Sequence, residues 1–141
     1  MLFNTLHLSD LNYLSILVAT IVYFFLGAIW FSRFMFAEPW MASLNIKPET
    51  MDKTGLGRMM LISFITTFAV CFGVAVLIQL ISIGSASAGI KLGLLLGIFM
   101  VFSTNLINSL FEKRPVKLLF INAGYHVVGI TLASLIISVW H

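Results

Sequence analysis

The chain has very little with which to face water. Only 9% of its 141 residues are charged, five acidic and eight basic, where a soluble domain carries about a quarter. Apolar residues make up 60%, and the mean hydropathy is +1.08. So short and apolar a chain cannot cover itself with polar surface, so lipid must be its main solvent. The length allows one domain, 1–141. There is one cysteine, Cys71, and it lies in the middle of an apolar run. A lone cysteine excludes disulfide, zinc and iron–sulfur frameworks, so no metal and no cofactor is expected. Cys71 itself reads as a small buried apolar residue. No Asp or Glu falls inside an apolar run; Glu112 stands at the edge of one. That excludes proton-coupled export of cationic drugs, which needs a membrane carboxylate. Nucleophile triads, Cys/His pairs and Gly-rich phosphate loops are also missing, so an enzyme is not the favoured reading. Residues 1–12 hold no Lys or Arg, and no small-x-small site follows the first apolar run. The first helix is therefore expected to be retained rather than cleaved.

What is present is four long apolar runs, at about 13–36, 59–83, 90–111 and 118–140. Each meets the ~20 residues needed to cross ~30 Å of hydrocarbon as a helix. Strands are excluded by run length and by the lack of period-2 alternation. The connections at 82–89 (SIGSASAG) and 112–117 (EKRPVK) are short. Helices two, three and four must therefore run antiparallel, as a hairpin stack. The longer connection, 37–57, holds Pro39, Trp40 and Pro48. It reads as a cytoplasmic interfacial segment in which Pro48-Glu49 opens a helix leading into helix two. The expected fold class is an all-α integral membrane protein, a four-helix antiparallel bundle.

Orientation follows from the basic residues. Arg33, Lys47, Lys53 and Arg58 flank the first connection, and Lys113, Arg114 and Lys117 the third; only Lys91 lies on the other side. Loops rich in Lys and Arg stay in the cytoplasm, so both termini are expected outside, in the cytoplasmic (inner) membrane. So strong a bias excludes a dual-topology protein. These cations at run edges point to phospholipid headgroups as partner, not to nucleic acid. His7, Asp10 and His141 would be the groups able to gather at the outer end.

Each run also carries a stripe of small or polar residues, the pattern by which membrane helices pack. Gly89, Gly93 and Gly97 recur at four-residue spacing, continuing to Thr104 and Asn108. The fourth run has Asn122, His126, Gly129 and Ala133. The first has Thr20, Tyr23, Gly27 and Trp30, and the second Ser63, Thr66, Thr67 and Val70. Packed together they would form the seam of a bundle, which is also expected to self-associate. A sharper constellation is polar. Asn105, Asn108, Asn122 and His126, flanked by Tyr125, Trp30 and Arg33, lie at similar depth near the cytoplasmic side. Amides and an imidazole in hydrocarbon are costly unless they meet one another, so Asn108, Asn122 and His126 are expected to approach. His126 reads either as a neutral interhelical hydrogen-bonding group or as part of a proton or solute site. No second His, Cys or carboxylate shares its depth, so it is not a metal ligand.

Two stretches, 26–41 (LGAIWFSRFMFAEPWM) and 110–126 (LFEKRPVKLLFINAGYH), resemble the signature segments of the domain of unknown function 1761 family. These are small multi-pass membrane proteins of bacteria and some fungi. The resemblance rests on Gly27, Trp30, Ser32, Phe36 and Trp40, then on Phe111, Glu112, Lys117, Asn122, Tyr125 and His126. Arg33, Ala37 and Glu38 stand where members often carry a proline and a Gly-Lys pair. The resemblance implies the four-helix layout and a set of positions, and no activity. On the residues alone the leading reading is a small transporter, channel or accessory subunit for a neutral or weakly polar solute. The alternatives are a membrane enzyme acting on lipid through His126 or Glu112, and a structural partner in a larger complex.

Overall fold

The long apolar runs form helices because helix is the structure in which a chain can satisfy all its backbone groups internally. The computed structural model describes residues 6–140. It contains α1 (Tyr13–Trp30), α2 (Ala37–Ser43), α3 (Leu56–Leu80), α4 (Ala86–Leu95), α5 (Ser103–Glu112) and α6 (Val116–Val139). A π-helical turn, Leu96–Phe102, joins α4 and α5 into one continuous helix. Single 3₁₀ turns lie at Leu8–Asp10 and Pro48–Thr50. No strand occurs among the described residues. Four helices, α1, α3, Ala86–Glu112 and α6, are long and apolar enough to cross a membrane. Large side chains such as Phe25, Phe99, Leu110 and Phe111 face outward, as lipid-facing positions do.

Several boundaries differ from the sequence expectation: the second span is Leu56–Leu80 rather than 59–83, the third begins at Ala86 rather than 90, and two further differences have a visible local cause. The first helix ends at Trp30, six residues before Phe36. Ser32 is the cause: its hydroxyl donates to the Ile29 carbonyl at 2.6 Å, offering the backbone an alternative to the next helical bond. The Phe36 N–H then closes back on the Trp30 carbonyl at 3.0 Å. Phe36 stacks on Trp30 (ring centroids 4.8 Å apart) and Trp40 packs edge-on to Phe31, folding α2 against α6. The second difference is at Pro48-Glu49, which opens only a 3₁₀ turn. Asp52 accepts the Thr54 N–H at 2.8 Å, and Gly55, at φ +77°, turns the chain into α3. That left-handed conformation is one glycine adopts without steric cost.

The helix order is not a simple hairpin stack. Helix α6 is the axis of the molecule: α1, α3 and the α4–α5 helix all pack on it, α1 also touches α3, and α3 and α4 make no extensive contact despite their short connection. The reason is that α6 is small on two faces. Ala123, Gly129 and Ala133 are buried on it, and so are Ser134 and Ser138. On α3 the packed face is Cys71, Val74, Ala75 and Ile78, not Ser63, Thr66 and Thr67. Ser63 and Thr66 are exposed, and the hydroxyls of Thr66 and Thr67 bond the carbonyls four residues back at 2.7 Å. These hydroxyls need no partner helix, and that half of α3 touches α1 through Phe64, whose ring packs edge-on to Phe24 (centroids 5.4 Å apart).

Candidate functional site

The glycines set how closely the α4–α5 helix lies on α6. A Cβ on Gly93 would stand 2.5 Å from the Thr131 Cα, and one on Gly97 2.9 Å from the Val127 Cα. A Cβ on Gly89 would collide with the Ser138 hydroxyl, and the Gly89 carbonyl accepts a 2.7 Å hydrogen bond from Ser134. Each four-residue step overshoots an α-helical turn by about 40°, so this seam would soon drift away from α6. The π-helical turn, wider than an α turn, brings it back. The seam therefore continues through Val101, Asn105 and Ser109, which are half-buried, while Thr104 is exposed and bonds its own helix at Met100.

That reset places carboxamides at the end of the molecule where the basic residues cluster. Asn105, Asn108, Ser109, Glu112, Arg114, Leu118, Leu119 and Asn122 line a notch of about 140 Å³ between α5 and α6. Glu112 and Arg114 form an ion pair at its mouth. Asn105 spends one N–H on the Val101 carbonyl at 2.8 Å. The side chains of Asn108 and Asn122 make no hydrogen bond to a described residue, so most of the amide capacity in the notch is unspent.

His126 belongs to a different group. Its Nδ1 lies 2.6 Å from the Tyr23 hydroxyl on α1. Which of the two groups donates is set by the imidazole tautomer. Tyr23 is fully buried and fits against α6 because Gly129 has no side chain; a Cβ there would overlap the ring. Tyr125 donates to the Tyr23 carbonyl at 3.3 Å and packs between His126 and Trp30. Trp30 donates its indole N–H to the Ile121 carbonyl at 2.9 Å. So the polar constellation divides in two: Asn105, Asn108 and Asn122 meet in the notch, and Trp30, Tyr125 and His126 meet on α1. No hydrogen bond joins the two sets. Arg33 is exposed beyond the end of α1 and takes part in neither.

By spacing Tyr23 belongs to a packing stripe, and nothing in the sequence marks it as the partner of His126. Nor does the sequence mark Ser109 and Arg114, the first because the π-helical turn shifts the seam by one position. No group of His, Cys, Asp or Glu able to hold a metal ion occurs among the described residues. At the other end, Asp10 closes the 3₁₀ turn that His7 precedes, and His141 lies outside the described residues.

Three long apolar helices pack on a fourth, and all four are long and apolar enough to cross a membrane. Residues 14–138 match the model of the family described as "Protein of unknown function (DUF1761)", and the chain belongs to that family. No curated protein and no solved structure matches it.

Proposed function

We propose that this is a small multi-pass protein of the cytoplasmic membrane that binds and passes a neutral polar solute, with the amide notch as its cytoplasmic binding site. One observation carries the reading. Three carboxamides converge on one cavity at a helix end, and two of them find no side-chain hydrogen-bond partner among the described residues. Asn108 is exposed and Asn122 half-buried at the notch; amides left unpaired in hydrocarbon would cost about 1–3 kcal/mol by mutational measures, so water or a polar solute has to take up their capacity. A bundle needing only packing would carry apolar residues there. Amides both donate and accept without net charge, so the complementary solute is a neutral hydroxyl or amide compound. The Glu112–Arg114 pair cancels its own charge, which disfavours Glu112 as a free base and with it the lipid-hydrolase reading. Seven of the eight basic residues flank the connections at the notch end. By the positive-inside rule that end faces the cytoplasm, with both termini outside.

The test is uptake of urea and glycerol into proteoliposomes. The Asn108→Leu, Asn122→Leu double variant removes the unspent amides and keeps the branched side-chain shape at an open notch, so it should fold at least as well as the parent. Flux of one of these solutes through the parent, reduced at least about tenfold in the variant, a barrier change of ~1.4 kcal/mol, is the expected result. Equal flux in parent, variant and empty liposomes refutes the reading.

A further inference from the structure

A second cavity, of about 300 Å³, lies at the opposite end, between the first 3₁₀ turn, α1, α3 and α6. Its floor and walls are apolar, made by Ala75, Ile78, Ile83 and Ile137, and its polar lining includes Asp10 and Gln79. We propose that it binds a primary ammonium group carrying a short apolar chain, supplied by a free amine or by a lipid headgroup.

Three polar groups are left over in the cavity: the Gln79 oxygen and the Asp10 carboxylate, which are acceptors, and the exposed Ser82 hydroxyl, which can accept from a cation as well as donate. Gln79 donates its amide N–H to the His7 carbonyl at 3.3 Å. That acceptor fixes which way the amide points, because the reverse would set two oxygens against each other. The Gln79 Oε1 is then buried with no donor among the described residues, a condition that costs free energy unless a ligand supplies the donor. The Asp10 carboxylate accepts from the neighbouring Ser9 hydroxyl at 3.1 Å and forms no ion pair among the described residues. Asn12 and Ser15, which also line the cavity, are occupied in capping α1 and in bonding the Trp140 carbonyl. Lys91, the basic residue at this end, stands on α4, which contributes nothing to the lining. One carboxylate and one carboxamide oxygen above an apolar wall complement an N–H-bearing cation with a hydrocarbon body. A quaternary ammonium has no N–H for Gln79, and an alcohol has no charge for Asp10.

The experiment is calorimetric titration of the full-length protein in phosphatidylcholine nanodiscs with n-butylammonium, using tetramethylammonium and 1-pentanol as comparators. Binding of n-butylammonium in the millimolar range or tighter is expected, with both comparators weaker. Asp10→Asn, at an exposed turn where folding is not at risk, should weaken it about tenfold, the equivalent of ~1.4 kcal/mol. Gln79→Leu removes the unpaired acceptor together with the long bond to the His7 carbonyl, which keeps the Asp10 N–H as its donor; it should weaken binding while leaving the melting temperature equal or higher. Absence of n-butylammonium binding, equal binding of 1-pentanol, or unchanged affinity in Asp10→Asn each overturns the proposal. Repeating the titration in phosphatidylethanolamine nanodiscs identifies the source: a weakened apparent affinity marks a headgroup competing for the site, and an unchanged one a free amine. The Asn108→Leu, Asn122→Leu variant should bind n-butylammonium like the parent, so this site and the amide notch fail or succeed separately.

Discussion

Tyr23 and His126 show how little of a partnership is written in spacing alone. Periodicity put His126 on the same stripe as Asn122, Gly129 and Ala133, and that stripe turns toward α1. What spacing cannot express is which neighbour fills the gap that Gly129 leaves, and the Tyr23 ring fills it. The imidazole therefore bonds a phenol across the α1–α6 contact at 2.6 Å, and Asn122 goes to a separate cavity. Interhelical side-chain bonds in membranes average ~0.6 kcal/mol, with a maximum near 1.7. A double-mutant cycle on Tyr23→Phe and His126→Leu should return a coupling in that range, measured by reversible unfolding in mixed micelles. A coupling indistinguishable from zero means that the pair does not hold α1 to α6. The amides of the notch behave oppositely: with no partner to lose, Asn108→Leu should leave stability equal or higher.

At the scale of elements, the apolar runs announced four helices because nothing else spans that length in lipid. Their ends were less legible, since one hydroxyl, that of Ser32, and one left-handed glycine, Gly55, decide them. The π-helical turn had no signature at all; it is needed only because a four-residue seam cannot follow α6 on an ideal helix. The hydroxyl stripe of α3 misled for a related reason. Ser63, Thr66 and Thr67 resemble a packing face, but the threonines satisfy themselves on their own backbone and hold no neighbour. Glycines separate the two cases by experiment. Gly93→Leu would drive a side chain into the α6 backbone and should cost about 1–3 kcal/mol, the usual penalty of overpacking. Gly73, on the same helix as that hydroxyl stripe, has nothing within 4 Å of where a Cβ would stand, so Gly73→Leu should melt like the parent. If Gly73→Leu also loses stability or changes particle size, a second copy packs there.

For the molecule as a whole, α6 organises both packing and chemistry, and its two ends differ. The basic end carries the amide notch, and the opposite end the acceptor-lined cavity. A buried layer that includes Tyr23, Cys71 and Ala133 lies between them. The number of spans and the charge bias were legible from composition, because long apolar runs and Lys/Arg placement are properties of the chain. The order of packing was not, because short connections say which helices follow one another, not which touch. The central claim is that the chain crosses the membrane four times with the notch end inside, and cysteine labelling tests it most directly. Cys71 is fully buried, so the parent should not react with a membrane-impermeant maleimide. In intact cells Ser87→Cys, in the α3–α4 turn region, should label from outside, and Thr50→Cys, in the α2–α3 connection, only after permeabilisation. Labelling of Thr50→Cys in intact cells, or the same accessibility at both positions, contradicts the account.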